Sequence, residues 1–562
     1  MYLKDIIRRR MEMNNYFMYL KKYLLSQKIR VIVILICTII QSGVSIIIPY
    51  IYKILIDDVF PKKQVYDFYC CILILFVGFI SNFLFSTAKD YFTAVTSEMI
   101  AKNIKSDLNI KLNHIEYRFY DNHTVGDIVS KYNKEIDIIK NNFGVLVLKA
   151  FGNILIFLGA CLMIFKINKK VMILSIFFIL IYALSNILFG KKINVLSHSV
   201  MRANGEVVDR VTDNYNTAIL SRIYNLENYV KNKFQTVYNK YFKTQIKFEF
   251  ICCLNINLSI FIIYMLAIII WLIGGQAIFN GSISIGSIIL LINYQGMLLS
   301  PVNFFCEFGN SYNEVNAAIK RLEDIMNEKE ERKNGIILNQ KIEQIEVKNL
   351  EFSYNKGKPI ISKLCMKINK GQIVGIYGSS GCGKSTLIKL LLGLYAPTSG
   401  EIYFNDYRLS ELNLYSVRDK ISAVMQDSLF YMGTIAENIL FDEEDVTQNC
   451  VRICKSLDIY NEIVRMQDQW DTELTSNASN LSGGQKKRLD LVRALTKAPD
   501  ILILDESTSP LDEERRRRLY DTLQSIKKEM IIIVITHNND YEIFDKIINL
   551  NEYREGTYEK NK

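Results

Sequence analysis

Proline is scarce in this chain, seven residues in 562, while half of all residues are hydrophobic and the mean hydropathy is positive. That balance excludes a disordered protein, which needs low hydrophobicity and a high net charge. Histidine is scarcer, at four residues, and none stands near Cys450 or Cys454, so the eleven cysteines form no metal-ligand pattern. Cys37, Cys70, Cys71, Cys161, Cys252, Cys253 and Cys306 fall inside apolar runs and read as small buried residues. No Ala-x-Ala exit follows the first apolar run, which is also too long for a cleaved signal, so a secretory leader is not expected. The net charge of +10 and the run Arg515 to Arg518 raise the question of nucleic acid. Those arginines read as the exposed face of a helix and the net charge as basic loops, so no nucleic-acid partner is expected.

What is abundant is long apolar sequence. Runs at Val31–Lys53, Asp67–Thr87, Gly144–Phe165, Val171–Gly190, Ile251–Ala277 and Ile285–Phe308 are each long enough to cross a hydrocarbon core of roughly 30 Å. Lys4, Arg8, Arg9, Arg10, Lys21, Lys22, Lys28 and Arg30 put the N-terminus in the cytoplasm, and six crossings return the C-terminal half there. Lysines 62, 63, 166, 169 and 170 fall in outer loops and weaken that rule without reversing it. The connections near 88–143 and 191–250 are long, polar and helix-like, so helices are expected to reach well into the cytoplasm. Met1 to Leu25 reads as a surface helix with Tyr16, Phe17, Leu20 and Leu24 toward lipid, or as a plain cytoplasmic helix. Glu307 is the main intramembrane acid; cationic cargo, a salt bridge or the inner water boundary would each account for it. Gln41, Asn153, Asn186, Asn257, Asn293 and Gln295 line a pathway or bond between helices.

The second half carries chemistry. Gly378, Ser379, Ser380, Gly381, Cys382, Gly383, Lys384, Ser385 and Thr386 spell Gly-x4-Gly-Lys-Ser/Thr, a loop whose N–H groups cradle phosphate at the start of a helix. Ile373–Tyr377 supplies the strand before it. The spacing predicts an ATP site, with Lys384 on the β and γ phosphates and Ser385 on Mg²⁺. Ile501–Leu504 reads as a strand buried on both faces that ends in Asp505-Glu506, two carboxylates at the ligand edge of a doubly wound sheet. There Asp505 reaches Mg²⁺ and Glu506 deprotonates an attacking water. Ile531–Ile535 is a second such strand, ending at Thr536-His537 beside the γ-phosphate. Cys382, inside the loop at a helix N-terminus, is expected to be a reactive thiol whose alkylation blocks hydrolysis and which ATP protects.

Leu481, Ser482, Gly483, Gly484 and Gln485 stand between the phosphate loop and the Asp-Glu strand, followed by a basic helical run from Lys486 to Ala494. With Tyr354, Gln426, Ser509-Pro-Leu-Asp512 and His537 they make the chain resemble ATP-binding cassette proteins, over essentially its whole length. The resemblance is to the exporter class: an all-α transmembrane domain of six helices with the type I exporter fold, fused to an α/β P-loop NTPase cassette. The boundaries it implies are 1–26 for the N-terminal helix, 27–325 for the membrane domain, 326–342 for a linker that includes Glu328 to Lys333, and 343–562 for the cassette.

In that family two cassettes close head to tail. Ser482, Gly483, Gly484 and Gln485 of one would cap the ATP of the other, Tyr354 would stack on adenine, Gln426 would sense Mg²⁺ and the γ-phosphate, and Asp512 would connect the two sites. Phe119-Tyr120 with Gly126 to Lys131 resembles a first docking loop, and Asn280 to Gly286 the outer turn before the sixth span. Leu474 to Ala478 lacks the family's Gly-Glu pair, and Pro510 replaces an alanine and stiffens its loop. A complete motif set implies a homodimer with two equivalent ATP sites, with a heterodimer as the alternative. The resemblance points to ATP-driven export across a cell membrane, with a bacteriocin or modified peptide as favoured cargo. Lipid or drug export, and ATP gating without pumping, are the alternatives. No cysteine-protease segment precedes the first span, so leader cleavage is expected elsewhere.

Overall fold

The computed structural model describes residues 22, 23, 26–143, 149–354, 359–441, 446–475, 478–505, 513–536 and 543–553. Most of the expected N-terminal surface helix, the Glu307 side chain, and Glu506, Pro510, Asp512 and His537 lie outside the described residues. The chain divides into two compact units, Met1–Asn113 with Val125–Asn327, and His114–Thr124 with Glu328–Lys562.

The first unit is helical. α1 (Lys28–Ile54) continues through a π-helical turn to Lys62, and α2 (Val65–Leu112), α3 (Ala150–Ile167), α4 (Lys169–Asn216), α5 (Glu227–Phe279) and α6 (Ile285–Met326) follow. All six are long and apolar enough to cross a membrane, where only intrahelical bonds can satisfy the backbone. At about 1.5 Å per residue, α5 is about 80 Å long against a core of roughly 30 Å, so much of it lies beyond the bilayer. Leu73, Phe76, Phe79 and Phe83 on α2 are exposed, as lipid-facing residues must be.

Polar contacts set the helix ends and crossings. Asn168 caps α4 through the Lys170 and Val171 N–H groups at 2.9 and 3.2 Å. Asp57, in the π-helical turn, accepts from the Gly286 N–H at 2.9 Å and closes the start of α6. A Cβ at Gly286 would sit 2.7 Å from that carboxylate, so the approach requires glycine. Tyr294 donates to the Ile46 carbonyl at 2.8 Å, and Tyr182 bonds Asn303. Asn153, Asn257 and Asn293 donate back to their own helices, Asn186 does the same while accepting from Asn255, and Gln41 accepts from Lys89.

The second unit holds two main sheets. β1 (Gln344–Phe352), β2 (Ile361–Asn369), β4 (Ser399–Phe404) and β5 (Tyr407–Arg408) form an antiparallel sheet in the order β2-β1-β4-β5. β3 (Ile373–Tyr377), β6 (Ile421–Val424), β7 (Ile501–Asp505), β8 (Ile531–Ile535) and β9 (Lys546–Asn549) form a parallel sheet in the order β9-β3-β8-β7-β6. Every residue of β7 and β8 is buried, because both faces of that sheet are covered. Ile501, Ile503, Ile531 and Ile533 pack toward the antiparallel sheet and α7 (Lys384–Leu391). Leu502, Leu504, Ile532 and Val534 pack on the other side, against α8 (Gly483–Thr496) and α9 (Glu513–Ile526).

Two segments differ from the sequence boundaries. Residues 114–124 belong with the cassette: Ile115 pairs with Glu330, the Glu116 N–H donates to the Lys329 carbonyl at 3.0 Å, and the Glu331 N–H to His114 at 2.7 Å. The acidic-basic stretch 328–333 is therefore bonded into the fold. Arg332 donates to the Leu409 and Leu412 carbonyls at 2.8 Å, and Arg418 grips Glu331 through two bonds of 2.7 and 2.5 Å while its Nε donates to Leu392 at 2.9 Å. Removing Arg418 leaves a half-buried carboxylate unpaired, so Arg418→Ala is expected to cost about 2 kcal/mol. Thermal unfolding of the full-length protein in detergent checks this, with a lower cassette transition as the expected outcome.

Candidate functional site

Register builds the site. In the parallel sheet Ile376 of β3 pairs with Ile535 of β8, Ile535 with Asp505 of β7, and Val424 of β6 with Leu504. The strand ends carrying the phosphate loop, Thr536, Asp505 and Gln426 therefore lie along one edge, where open α/β sheets hold ligands. Asp505 and Thr536 are buried there and Gln426 is exposed.

Several contacts shape the loop that follows β3. Gly381 and Gly383 have φ of +76° and +103°, a left-handed region that glycine enters without strain. Asn551 pins the loop by accepting from the Ser379 N–H at 3.0 Å and its hydroxyl at 2.8 Å. Asp545 accepts from the Ile373 N–H at 2.8 Å and so holds the start of β3; burial raises its pKa, but that bond and Lys527 outweigh burial and hold the carboxyl below its usual range. The Lys384 ammonium donates to the Gly378 and Ser379 carbonyls at 2.8 and 3.2 Å, over the concave face of the loop. Ser385, in the first turn of α7, is exposed beside it. Tyr354 lies against this helix, its hydroxyl 3.2 Å from that of Thr386. Left-handed glycines, a helix N-terminus, a lysine and a free-standing hydroxyl fit a nucleotide polyphosphate.

Cys382 corrects an expectation. Its side chain is 2% exposed, packed into the core so tightly that a Cβ at Gly378 would come within 2.3 Å of its sulfur. The thiol is buried in the core, so a fast alkylation that ATP blocks is not expected. Maleimide should label Cys365, which is exposed, well before Cys382, with mass spectrometry of the timed digest as the check.

The signature segment is a helix N-terminus closed by its own residues. Ser482 Oγ accepts from the Gln485 N–H at 3.2 Å and Gln485 Oε1 from the Ser482 N–H at 2.8 Å, a complete capping box. Gln485 and Arg488 both donate to Glu462 at 3.0 Å. Before the signature, where the family's acid is absent, Asn480 donates to the Glu473 carbonyl at 3.0 Å.

The model description of the ABC transporter transmembrane region matches residues 31–302, and that of the ABC transporter matches residues 361–509. The chain belongs to the ATP-binding cassette transporter family. It carries one membrane domain and one ATP-hydrolysing cassette, the plan of an ABC exporter half-transporter. A Rickettsia prowazekii protein named as an export ATP-binding/permease protein is 28% identical, over 92% of this chain and 91% of its own. The sublancin-168-processing and transport ATP-binding protein of Bacillus subtilis is 25% identical over 97% of this chain and 77% of its own. The lactococcin-G-processing and transport ATP-binding protein of Lactococcus lactis is 26% identical over 90% and 73%. A bacterial Atm1-family ABC exporter solved with ATP bound has the same fold, with a TM-score of 0.78 at 19% identity over 94% of both chains.

Within this exporter's cassette, the basic helical run after the signature is partly buried. Lys487 is 3% exposed, and its ammonium donates to the carbonyls of Met425 and Gln426, the latter at 2.7 Å. Only the tertiary contact separates it from its neighbour Lys486; nothing in the run marks it. Lys487→Met strips a donor from both carbonyls at the Gln426 turn, so hydrolysis is expected to fall about tenfold with ATP binding retained. Steady-state ATPase assays beside equilibrium nucleotide binding check the split.

Proposed function

We propose that this exporter drives a peptide out of the cytoplasm as a homodimer, with both cassettes and the N-terminus on the cytoplasmic side. The observation that carries the peptide reading is the match, across 97% and 90% of this chain, to the two relatives named for processing and transport of sublancin 168 and lactococcin G. The six spans and the intact phosphate loop and signature support ATP-driven export. The turn between α4 and α5 supports a second copy: Tyr215, Ile219, Ile223 and Tyr224 are 83, 76, 67 and 66% exposed, an apolar tip that a partner would cover.

In this reading the phosphate-loop N–H groups and Lys384 hold the β and γ phosphates, and Tyr354 supports the adenine. Ser385, Asp505 and Gln426 would hold Mg²⁺, which supplies charge neutralisation on the phosphates. Glu506 orients and deprotonates the attacking water, and His537 contacts the γ-phosphate. Ser482, Gly483, Gly484 and Gln485 of a second copy close the site, and Asp512 connects the two. Membrane helices then alternate between inward and outward states as the cassettes close and reopen.

ATP-driven uptake into inside-out vesicles tests the proposal, comparing the unmodified protein with Glu506→Gln and offering a bacteriocin-like peptide beside dyes and fluorescent lipids. Peptide accumulation that the substitution abolishes is expected. Uptake of dye or lipid alone would move the cargo to another class, and hydrolysis without uptake would leave only gating.

A further inference from the structure

Asp121, in the short helix Arg118–Asn122 between the second and third spans, touches both halves of the candidate ATP site from outside it. Its carboxylate accepts from the Tyr395 hydroxyl at 2.6 Å and from Lys389 Nζ at 3.1 Å. Lys389 stands on α7, the helix that opens at Lys384. The Tyr395 ring packs edge-on against Tyr354 with centroids 5.2 Å apart, and Phe352 completes a three-ring cluster with 4.9 and 5.4 Å separations. Two neighbours of Asp121 reinforce the contact: Arg118 donates to the Tyr354 carbonyl at 3.2 Å, and Lys389 Nζ lies 5.0 Å from the Tyr117 ring.

Tyr354 packs against the core of the cassette but also borders open space. A cavity of about 640 Å³ is bordered by Tyr354, Tyr395, Phe352, Arg118 and Glu116, so apolar packing there is missing. The orientation of the Tyr354 ring thus rests on its edge contacts with Phe352 and Tyr395, on Thr386 and on the Arg118 bond. Tyr395 is itself anchored by Asp121. Both anchors persist at physiological pH: burial and the Asp121 hydrogen bond push the Tyr395 phenol up, and Asp121 with the neighbouring tyrosines raises Lys389 although burial opposes it.

We propose that Asp121 is a positioning residue for nucleotide selection, holding Tyr354 through Tyr395 and the phosphate-loop helix through Lys389. The first cytoplasmic loop thereby sets the affinity and base preference of the ATP site. This rests on the reading of Tyr354 as the adenine platform, which implies that a purine, with its larger stacking face, gains more from a well-placed ring than a pyrimidine. Asp121 touches no nucleotide; it acts through the two side chains it holds.

The test measures KM and kcat for ATP and CTP in the full-length protein and in Asp121→Ala, Asp121→Glu, Tyr395→Phe and Tyr354→Ala. Asp121→Ala is expected to raise KM for ATP about fivefold with kcat within about twofold, and to narrow the preference for ATP over CTP. Tyr395→Phe, which removes a single hydroxyl, should move both in the same direction by less, and Asp121→Glu should restore most of the preference. If Tyr354→Ala shifts the ATP preference while Asp121→Ala and Tyr395→Phe leave it unchanged, the inference is overturned and the adenine platform stands. If Tyr354→Ala has no effect on either nucleotide, the platform itself fails, and the inference with it. A fall in kcat alone in Asp121→Ala assigns the carboxylate to mechanical support and also overturns it. Should Asp121→Ala fold poorly, Tyr395→Phe decides.

Discussion

The parallel register of five strands is the constraint on which the cassette depends. Each pairing between β6, β7, β8 and β3 is in step: Val424 lies opposite Leu504 and, one residue on, Asp505, Ile535 and Ile376 form a row, so the chain leaves the sheet four times along one edge. A slip by one residue would turn every buried side chain of β7 and β8 to the opposite face. Because both faces are packed, one against the antiparallel sheet and α7, the other against α8 and α9, alternating residues feed two separate cores. That double burial is what holds a carboxylate, a threonine and a phosphate-binding loop at fixed separation.

Around this edge, cations act on the backbone. Lys487 supports the turn at Gln426, Arg418 ties the stretch at Glu331 to the end of α7, and Lys384 spans its own loop. Each ammonium or guanidinium meets backbone carbonyl oxygens, and a charged donor makes a stronger bond to them than a neutral one. Lys487 and Arg418 thus hold connecting elements from outside the phosphate loop, whereas Lys384 braces it from within. Residues 114–124 extend the same logic: a segment that leaves and re-enters the helical unit is fixed to the cassette by main-chain pairing at Ile115 and Glu116 and by the Asp121 carboxylate.

Much of this was legible in the residues. Apolar runs of about twenty residues specify membrane helices because no other chain conformation satisfies its own backbone in lipid. The strands Ile373–Tyr377 and Ile531–Ile535 match the apolar runs residue for residue, since a doubly buried strand has no polar positions to blur its ends. The phosphate loop was readable because its glycines answer a local need of dihedral angle, and the signature through its resemblance to the family; the capping box that closes the signature helix is a finding of the structure.

What the sequence by itself determined, then, is every feature set by local chemistry: the spans, the buried strands, the loop glycines, the signature motif and the family they identify. Tertiary structure alone decided which chemically equivalent residues matter. Lys486 and Lys487 are indistinguishable in a basic run until one is buried beneath Gln426, and Cys382 looks reactive until its sulfur is seen packed against Gly378. Asp121 is one acid among many until chain crossing brings Lys389 and Tyr395 to it from some 270 positions away, at separations of 268 and 274 residues. Contacts of that range are set by the packing of whole elements, and no short stretch of sequence encodes them.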